Sequence, residues 1–213
     1  MEMHFASIWE EISDLIPNEP VLICEENIKT WKEFDERSAR LANFLESKSL
    51  KADSKVGLYI HNSNEYLEAQ FSAFKIEGVP INVNYRYVEE ELIYLLDNSD
   101  AEAVFFQSCY ADRISKIANK LPKIKVFIQV GGNEQLSIEN CYLFEDIIQE
   151  TAPLDRRKRN EENIYMLYTG GTTGMPKGVM YKHNLLINGL LKTAASMGFD
   201  VPEDPEDIPK TIV

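Results

Sequence analysis

Residues 168–180 (YTGGTTGMPKGVM) concentrate the residue types that bind phosphate. These thirteen residues include four glycines, three threonines and one lysine. Glycine lets the backbone adopt positive φ and approach a ligand closely, so successive amides can point into one anion-binding concavity. Threonine hydroxyls add hydrogen-bond donors, and Lys177 adds a point charge. The stretch therefore predicts a loop that binds polyphosphate.

Two common phosphate-binding motifs do not fit this stretch. The P-loop requires Lys directly after Gly and then Ser or Thr, whereas Met175 and Pro176 separate Gly174 from Lys177. The dinucleotide fingerprint G-x-G-x-x-G does not occur in the chain. The alternative without chemistry is a glycine-rich surface turn. We favour the phosphate loop, because a turn does not need three hydroxyls and a lysine together.

The stretch resembles the phosphate-binding signature of the adenylate-forming superfamily, Y-T-S-G-T-T-G-x-P-K-G. This superfamily includes acyl-CoA synthetases, luciferases and peptide-synthetase adenylation domains. Gly170 stands where the family usually has Ser, which removes one hydroxyl donor. The form with two glycines followed by Met-Pro-Lys resembles a subset of fatty-acyl and steroid-side-chain acyl-CoA synthetases. Weaker likenesses begin at Thr30 and at Phe74, so the resemblance spans nearly the whole chain.

The resemblance implies that ATP is the ligand of this loop and CoA a co-substrate. A carboxylic acid, fatty or steroidal, would attack the α-phosphate to give acyl-AMP and pyrophosphate, and the CoA thiol would then take the acyl group. Lys177 would offset charge on the leaving pyrophosphate. The implied ligands of the β- and γ-phosphates are Thr169, Gly170, Gly171, Thr172, Thr173, Gly174 and Lys177.

The resemblance covers only the N-terminal portion of the family members. Family members continue with motifs for adenine, ribose and magnesium and with a C-terminal lid that carries a catalytic lysine. We therefore expect an N-terminal fragment that is inactive alone, with no catalytic residue and with the Mg²⁺ ligand in a later segment. Two alternatives stay open, namely a nucleotide-binding or interaction module without catalysis and an adenylating enzyme for an amino or aryl acid.

Strand and helix patterns alternate along the chain, which predicts an α/β fold with a largely parallel sheet. This is also the fold of the front part of the large N-terminal domain of adenylate-forming enzymes. Thr30 to Glu33 (TWKE) form a capping box that predicts a helix start. Compact apolar runs predict strands at 21–24, 56–60, 103–106, 126–130 and 164–168. Residues 78–87 are predicted to join a further strand to a loop, and His183 is predicted to open a helix.

Residues 151–163 (TAPLDRRKRNEEN) interrupt this alternation with four consecutive basic residues. A patch for nucleic acid or anionic lipid is one interpretation. We favour a solvated connector between two sheets, because blocks of charge usually stay solvated. The predicted domains are an N-terminal α/β subdomain (1–150), this connector (151–163) and the truncated start of a second subdomain with the phosphate loop (164–213).

Length and composition narrow the function classes. The 213 residues suffice for one large or two small domains. A net charge of −13 argues against nucleic acid as a partner. The cysteines, Cys24, Cys109 and Cys141, lack metal-binding spacing, and without a signal peptide they suggest reduced thiols in a cytoplasmic protein. No apolar stretch predicts a membrane span. Peripheral membrane contact and a homodimer stay open.

Overall fold

The computed structural model describes residues 2–169 and 175–201. A seven-stranded β-sheet forms its centre. The strands are β1 (Pro20–Cys24), β2 (Asn27–Thr30), β3 (Lys55–Tyr59), β4 (Val79–Asn82), β5 (Ala101–Gln107), β6 (Val126–Val130), β7 (Cys141–Leu143), β8 (Ile164–Thr169) and β9 (Lys177–Lys182). The helices are α1 (Phe5–Leu15), α2 (Trp31–Ser47), α3 (Asn64–Lys75), α4 (Glu89–Asn98), α5 (Ala111–Ile117), α6 (Phe144–Glu150) and α7 (His183–Ser196).

The strand order of the large sheet is β7-β6-β5-β3-β4-β8-β9. All neighbours are parallel except β8 and β9, which pair antiparallel. β1 and β2 form a separate antiparallel pair. The expected α/β fold with a largely parallel sheet is therefore confirmed. Of the described helices, none combines the length and apolarity that crossing a bilayer requires.

Helices cover both faces of the sheet, as parallel strands require. On one face, α2, α3 and α6 bury residues such as Leu41, Ala69 and Phe144 against β3, β5 and β6. On the other face, α4 and α5 bury Leu92 and Ile114. The predicted capping box is confirmed at the start of α2, where Glu33 accepts from the backbone N–H of Thr30 and Thr30 Oγ1 accepts from that of Glu33.

Eight of the residues 151–163 are exposed, as expected of a solvated connector, but Arg159 is buried. Arg159 is only 4% exposed, and its guanidinium donates two hydrogen bonds to the carboxylate of Glu10, at 2.7 and 2.9 Å. Lys75 Nζ lies 2.6 Å from the same carboxylate and 2.5 Å from Asp35. The interpretation as solvated is therefore wrong for Arg159, because the buried carboxylate of Glu10 in α1 neutralises its charge.

The strand that follows this segment does not begin a separate sheet. β8 pairs with β4, at Ile81 and Met166, and so extends the sheet that the first 150 residues build. The interpretation of residues 151–163 as a connector between two sheets is wrong for the described residues. A subdomain division at this point stays a prediction.

Neutralising Glu10 should destabilise the protein strongly. We expect Glu10→Gln to lower the free energy of unfolding by about 3 kcal/mol or more, because it leaves the buried charge of Arg159 without its carboxylate and Lys75 with Asp35 alone. Urea unfolding measures the change. The matched control is Glu36→Gln, which removes an exposed pair with Arg40 in α2 and should cost less than about 0.5 kcal/mol. Equal costs for the two variants would contradict a buried network.

Candidate phosphate-binding site

The predicted phosphate loop connects β8 to β9, and the two strands hold its ends together. The antiparallel register places Thr169 directly opposite Lys177 at the last pair before the loop. Side chains at opposite positions of such a pair lie on one face, with Cβ atoms about 5 Å apart. Both residues are exposed. The structure thus brings together two of the seven predicted ligands.

The other five predicted ligands, Gly170, Gly171, Thr172, Thr173 and Gly174, lie outside the described residues. Their contacts to phosphate stay a prediction. The chain is described again from Met175, which is exposed, and Pro176, which is half-buried. A loop of seven residues, 170–176, therefore separates the paired Thr169 and Lys177.

β8 ends at the edge of the sheet where α/β proteins usually bind ligands. β8 is parallel to β4, so its last residue, Thr169, lies at the carboxyl ends of the parallel strands. The turns after β3 and β5 meet at the same edge, where Gln107 accepts a hydrogen bond from the backbone N–H of His61. Ligands of open α/β sheets bind outside these carboxyl ends. The location therefore agrees with a binding role.

The two lysines of β9 have different surroundings. Lys182, at the far end of the strand, pairs with Glu162 at 2.9 Å. Lys177 forms no ion pair with any residue in the ranges 2–169 and 175–201. Its ammonium group is thus available to an anion at the mouth of the loop, and Lys182 provides a natural comparison on the same strand.

Gly178 is required by packing next to the loop. A Cβ atom at this position would lie 2.9 Å from Met166 Sδ and 3.1 Å from Tyr168 Cε2. Both neighbours belong to β8 and lie across the strand pair. Gly178 therefore lets the ring of Tyr168 pack closely against β9, a role that the sequence alone does not reveal.

A pair of buried histidines fixes the start of α7, directly after β9. The rings of His4 and His183 stack with centroids 4.1 Å apart and are fully buried. Nδ1 of His183 accepts from the backbone N–H of Phe5, and Nδ1 of His4 accepts from that of Ala6. Burial, aided by the charges of His183 and Arg159, lowers the pKa of His4 to about 2. Burial lowers the pKa of His183 to about 4.

Side chains that could ligate a metal are dispersed in the described part of the chain. Within it, no group of three or more His, Cys, Asp and Glu side chains is arranged to hold a metal ion. Glu89, Glu90 and Glu91 form the first turn of α4, as expected for acids at the positive end of a helix. His61 contacts the hydroxyl of Tyr110, as a hydrogen-bonded loop residue would.

A family model and two known ligases match most of this chain. The family model described as AMP-binding enzyme matches residues 10–207. A 3-oxocholest-4-en-26-oate–CoA ligase of Rhodococcus rhodochrous is 37% identical over 186 residues, which cover 86% of this chain and 34% of the relative. A medium/long-chain-fatty-acid–CoA/3-oxocholest-4-en-26-oate–CoA ligase of Mycolicibacterium smegmatis is 36% identical, with 86% of this chain and 34% of the relative covered.

Solved structures share the fold. A long-chain-fatty-acid–CoA ligase from Archaeoglobus fulgidus superposes with a TM-score of 0.80 at 23% identity, covering 93% of this chain and 40% of that one. An anthranilate–CoA ligase in complex with anthranoyl-AMP gives a TM-score of 0.81 at 22% identity, covering 92% and 37%.

The loop, its place in the sheet and these matches define the class: the chain belongs to the AMP-binding enzyme family. The Rhodococcus and Mycolicibacterium relatives are, by their names, CoA ligases of fatty and steroid-derived acids. The chain spans about a third of the length of these curated relatives, 34% for the Rhodococcus ligase.

The histidine pair should make the protein sensitive to mild acid. Both pKa values are lowered by folding, so the stabilisation is complete above the unfolded value of about 6.5 and is lost as the pH falls below it. We expect unfolding free energy to fall between pH 6.5 and 5, by at most about 1.4 kcal/mol per pH unit for each histidine. Urea unfolding at several pH values measures this.

The control is the double variant His4→Asn/His183→Asn, which keeps an acceptor near each Nδ1 position but cannot be protonated. Its free energy of unfolding should change less between pH 6.5 and 5 than that of the unmodified protein. Burial raises the pKa of Glu11 and Glu68, which acts in the opposite direction in both proteins and cancels in the comparison. Parallel pH profiles for the two proteins would contradict the assignment.

Proposed function

We propose that this chain provides the ATP phosphate-binding part of an acid–thiol ligase that makes acyl-CoA. The observation that carries the proposal is the pairing of Thr169 with Lys177 across the ends of the loop. The strands hold two side chains that can bind phosphate, Thr169 and Lys177, on either side of residues 170–176. These residues belong to the stretch that resembles the family's phosphate signature. Membership of the AMP-binding family supports ATP as the ligand.

The chain's own residues have a positioning and electrostatic role in this proposal. Lys177 neutralises charge that builds on the β- and γ-phosphates as pyrophosphate leaves, and the Thr169 hydroxyl donates to a phosphate oxygen. Pro176 directly precedes Lys177, and its ring restricts the backbone at that point. The amides and hydroxyls of residues 170–174 complete the phosphate site. Magnesium, when bound, would neutralise phosphate charge, with ligands from outside the described residues.

The relatives suggest the class of acid. The named substrates of the Rhodococcus and Mycolicibacterium ligases are fatty acids and a steroid-side-chain acid, so we propose a bulky apolar carboxylic acid, with CoA as the acceptor. The anthranilate ligase shows that the fold also serves aryl acids, which keeps an aryl acid as the second candidate. Three free cysteines agree with a cytoplasmic location.

Turnover requires protein beyond these residues. Because the chain covers about a third of its relatives, we propose that residues 1–213 alone bind nucleotide without completing the reaction. A non-catalytic nucleotide-binding module is the competing function. Peripheral membrane attachment and a homodimer are compatible with either proposal.

Removing the Lys177 ammonium should weaken binding of ATP but not of AMP. For the purified chain, we expect Lys177→Ala to raise the dissociation constant for ATP about ten-fold, since the loss of one charged contact is worth about 1.4 kcal/mol. AMP lacks the β- and γ-phosphates, so its affinity should not change. Isothermal titration calorimetry measures both nucleotides.

The matched control for that experiment is Lys182→Ala, which removes a lysine from the other end of the same strand and should leave ATP affinity within about two-fold. Equal effects of the two substitutions would indicate general charge attraction and contradict a specific role for Lys177. Failure of the unmodified chain to bind ATP would contradict the proposal that this part of the protein holds the phosphates.

A chimera tests the ligase assignment itself. The matched segment of this chain replaces the corresponding segment of the Rhodococcus ligase, and pyrophosphate release is measured with ATP and with steroid-side-chain, fatty and aryl acids. We expect release with the apolar acids, reduced roughly a hundred-fold by Lys177→Ala and little by Lys182→Ala. A folded chimera that releases no pyrophosphate with any acid would favour the non-catalytic module.

A further inference from the structure

α4 contacts β8 and the residue directly before β9. The hydroxyl of Tyr168, on β8, donates to Oδ1 of Asn98 at 2.9 Å. The hydroxyl of Tyr94 donates to the carbonyl oxygen of Pro176, the residue directly before β9, at 3.4 Å. Tyr94 and Asn98 are one helical turn apart, so they lie on the same side of α4. One helix thus contacts the chain on both sides of residues 170–174.

α4 is itself held firmly on the sheet. Leu92, Leu95 and Leu96 are at most 1% exposed and form the inner side of the helix. A Cβ atom at Gly57 of β3 would lie 2.8 Å from Leu96 Cδ2, so this glycine lets α4 approach the sheet closely. The helix is therefore a fixed support whose position follows from the core.

The ring of Tyr168 lies between α4 and β9. It packs over Gly178 of β9, where a Cβ atom would lie 3.1 Å from Tyr168 Cε2. Asn98 holds the hydroxyl end of the same ring. Contacts therefore run from α4 through Tyr168 to the strand that starts with Lys177.

We propose that Tyr94 and Asn98 are positioning residues for the phosphate loop, and we call these two residues with Tyr168 the α4 brace. The brace fixes the separation and twist of β8 and β9 where the loop begins and ends. It thereby sets the direction of the Thr169 and Lys177 side chains, without touching the nucleotide. This inference rests on the proposed binding of ATP phosphates by the loop.

The brace is tested with the double variant Tyr94→Phe/Asn98→Ala in the full chain. Hydrogen–deuterium exchange followed by mass spectrometry reports on peptides that cover 164–182, and calorimetry reports ATP affinity. We expect exchange next to the loop to accelerate and ATP affinity to fall about three-fold or more, the size of one or two hydrogen bonds. The melting temperature should change little, because both bonds lie near the surface.

Two further variants separate positioning from general damage. Tyr165→Phe removes the hydroxyl that accepts from Gln70 on the opposite face of β8, and it should leave both readouts unchanged. Asn98→Asp keeps an acceptor for the Tyr168 hydroxyl, and in a chain with Tyr94 intact it should leave exchange next to the loop unchanged. The proposal requires this pattern of one sensitive and two insensitive variants.

Unchanged exchange next to the loop in the double variant would overturn the brace. Faster exchange with unchanged ATP affinity would overturn its role in positioning, although the contacts would be real. These outcomes differ from failure of the proposed function, in which the unmodified chain binds no ATP while the exchange experiment still reports on the brace.

Discussion

The antiparallel pairing of β8 with β9 is the constraint on which the account depends. All other neighbours in the large sheet are parallel, and a parallel pair cannot close a short loop between its own ends. The chain reverses direction after β8, and β9 runs back alongside it. Lys177 therefore lies opposite Thr169. The two residues that flank the predicted loop are thereby held side by side at the carboxyl edge of the sheet.

Elements far apart in the chain stabilise this arrangement. The buried charges of Lys75, Glu10 and Arg159 attach residues 151–163 to α1 and α3, and thus fix where β8 starts. The stacked rings of His4 and His183 attach the segment after β9 to the beginning of α1. The loop region is therefore secured on both sides by contacts to the first 75 residues.

Local signals in the sequence were sufficient for much of the fold. The capping box at Thr30 and the compact apolar runs predict α2, β3, β5, β6 and β8 because those signals act over a few residues. The signature of residues 168–180 predicts the position of the loop, and the start of α7 at His183 is also confirmed. Three strands, β2, β7 and β9, are absent from the prediction, because they are short or lack alternating apolar residues.

Interactions between distant residues could not be predicted. His4 and His183 are separated by most of the chain, and neither has a local pattern that indicates a buried partner. The burial of Arg159 depends on Glu10, so a charge run that looks solvated in sequence is partly internal. The contact of Tyr94 with Pro176 likewise follows from how α4 packs on the sheet.

The most direct test of the central claim is a nuclear magnetic resonance titration of the ¹⁵N-labelled chain with inorganic pyrophosphate. If the closed loop at the end of β8 holds the phosphates, the largest shifts will fall on amides between Thr169 and Gly178. Shifts concentrated instead at the basic residues 156–159, or absent throughout residues 169–178, would contradict the account.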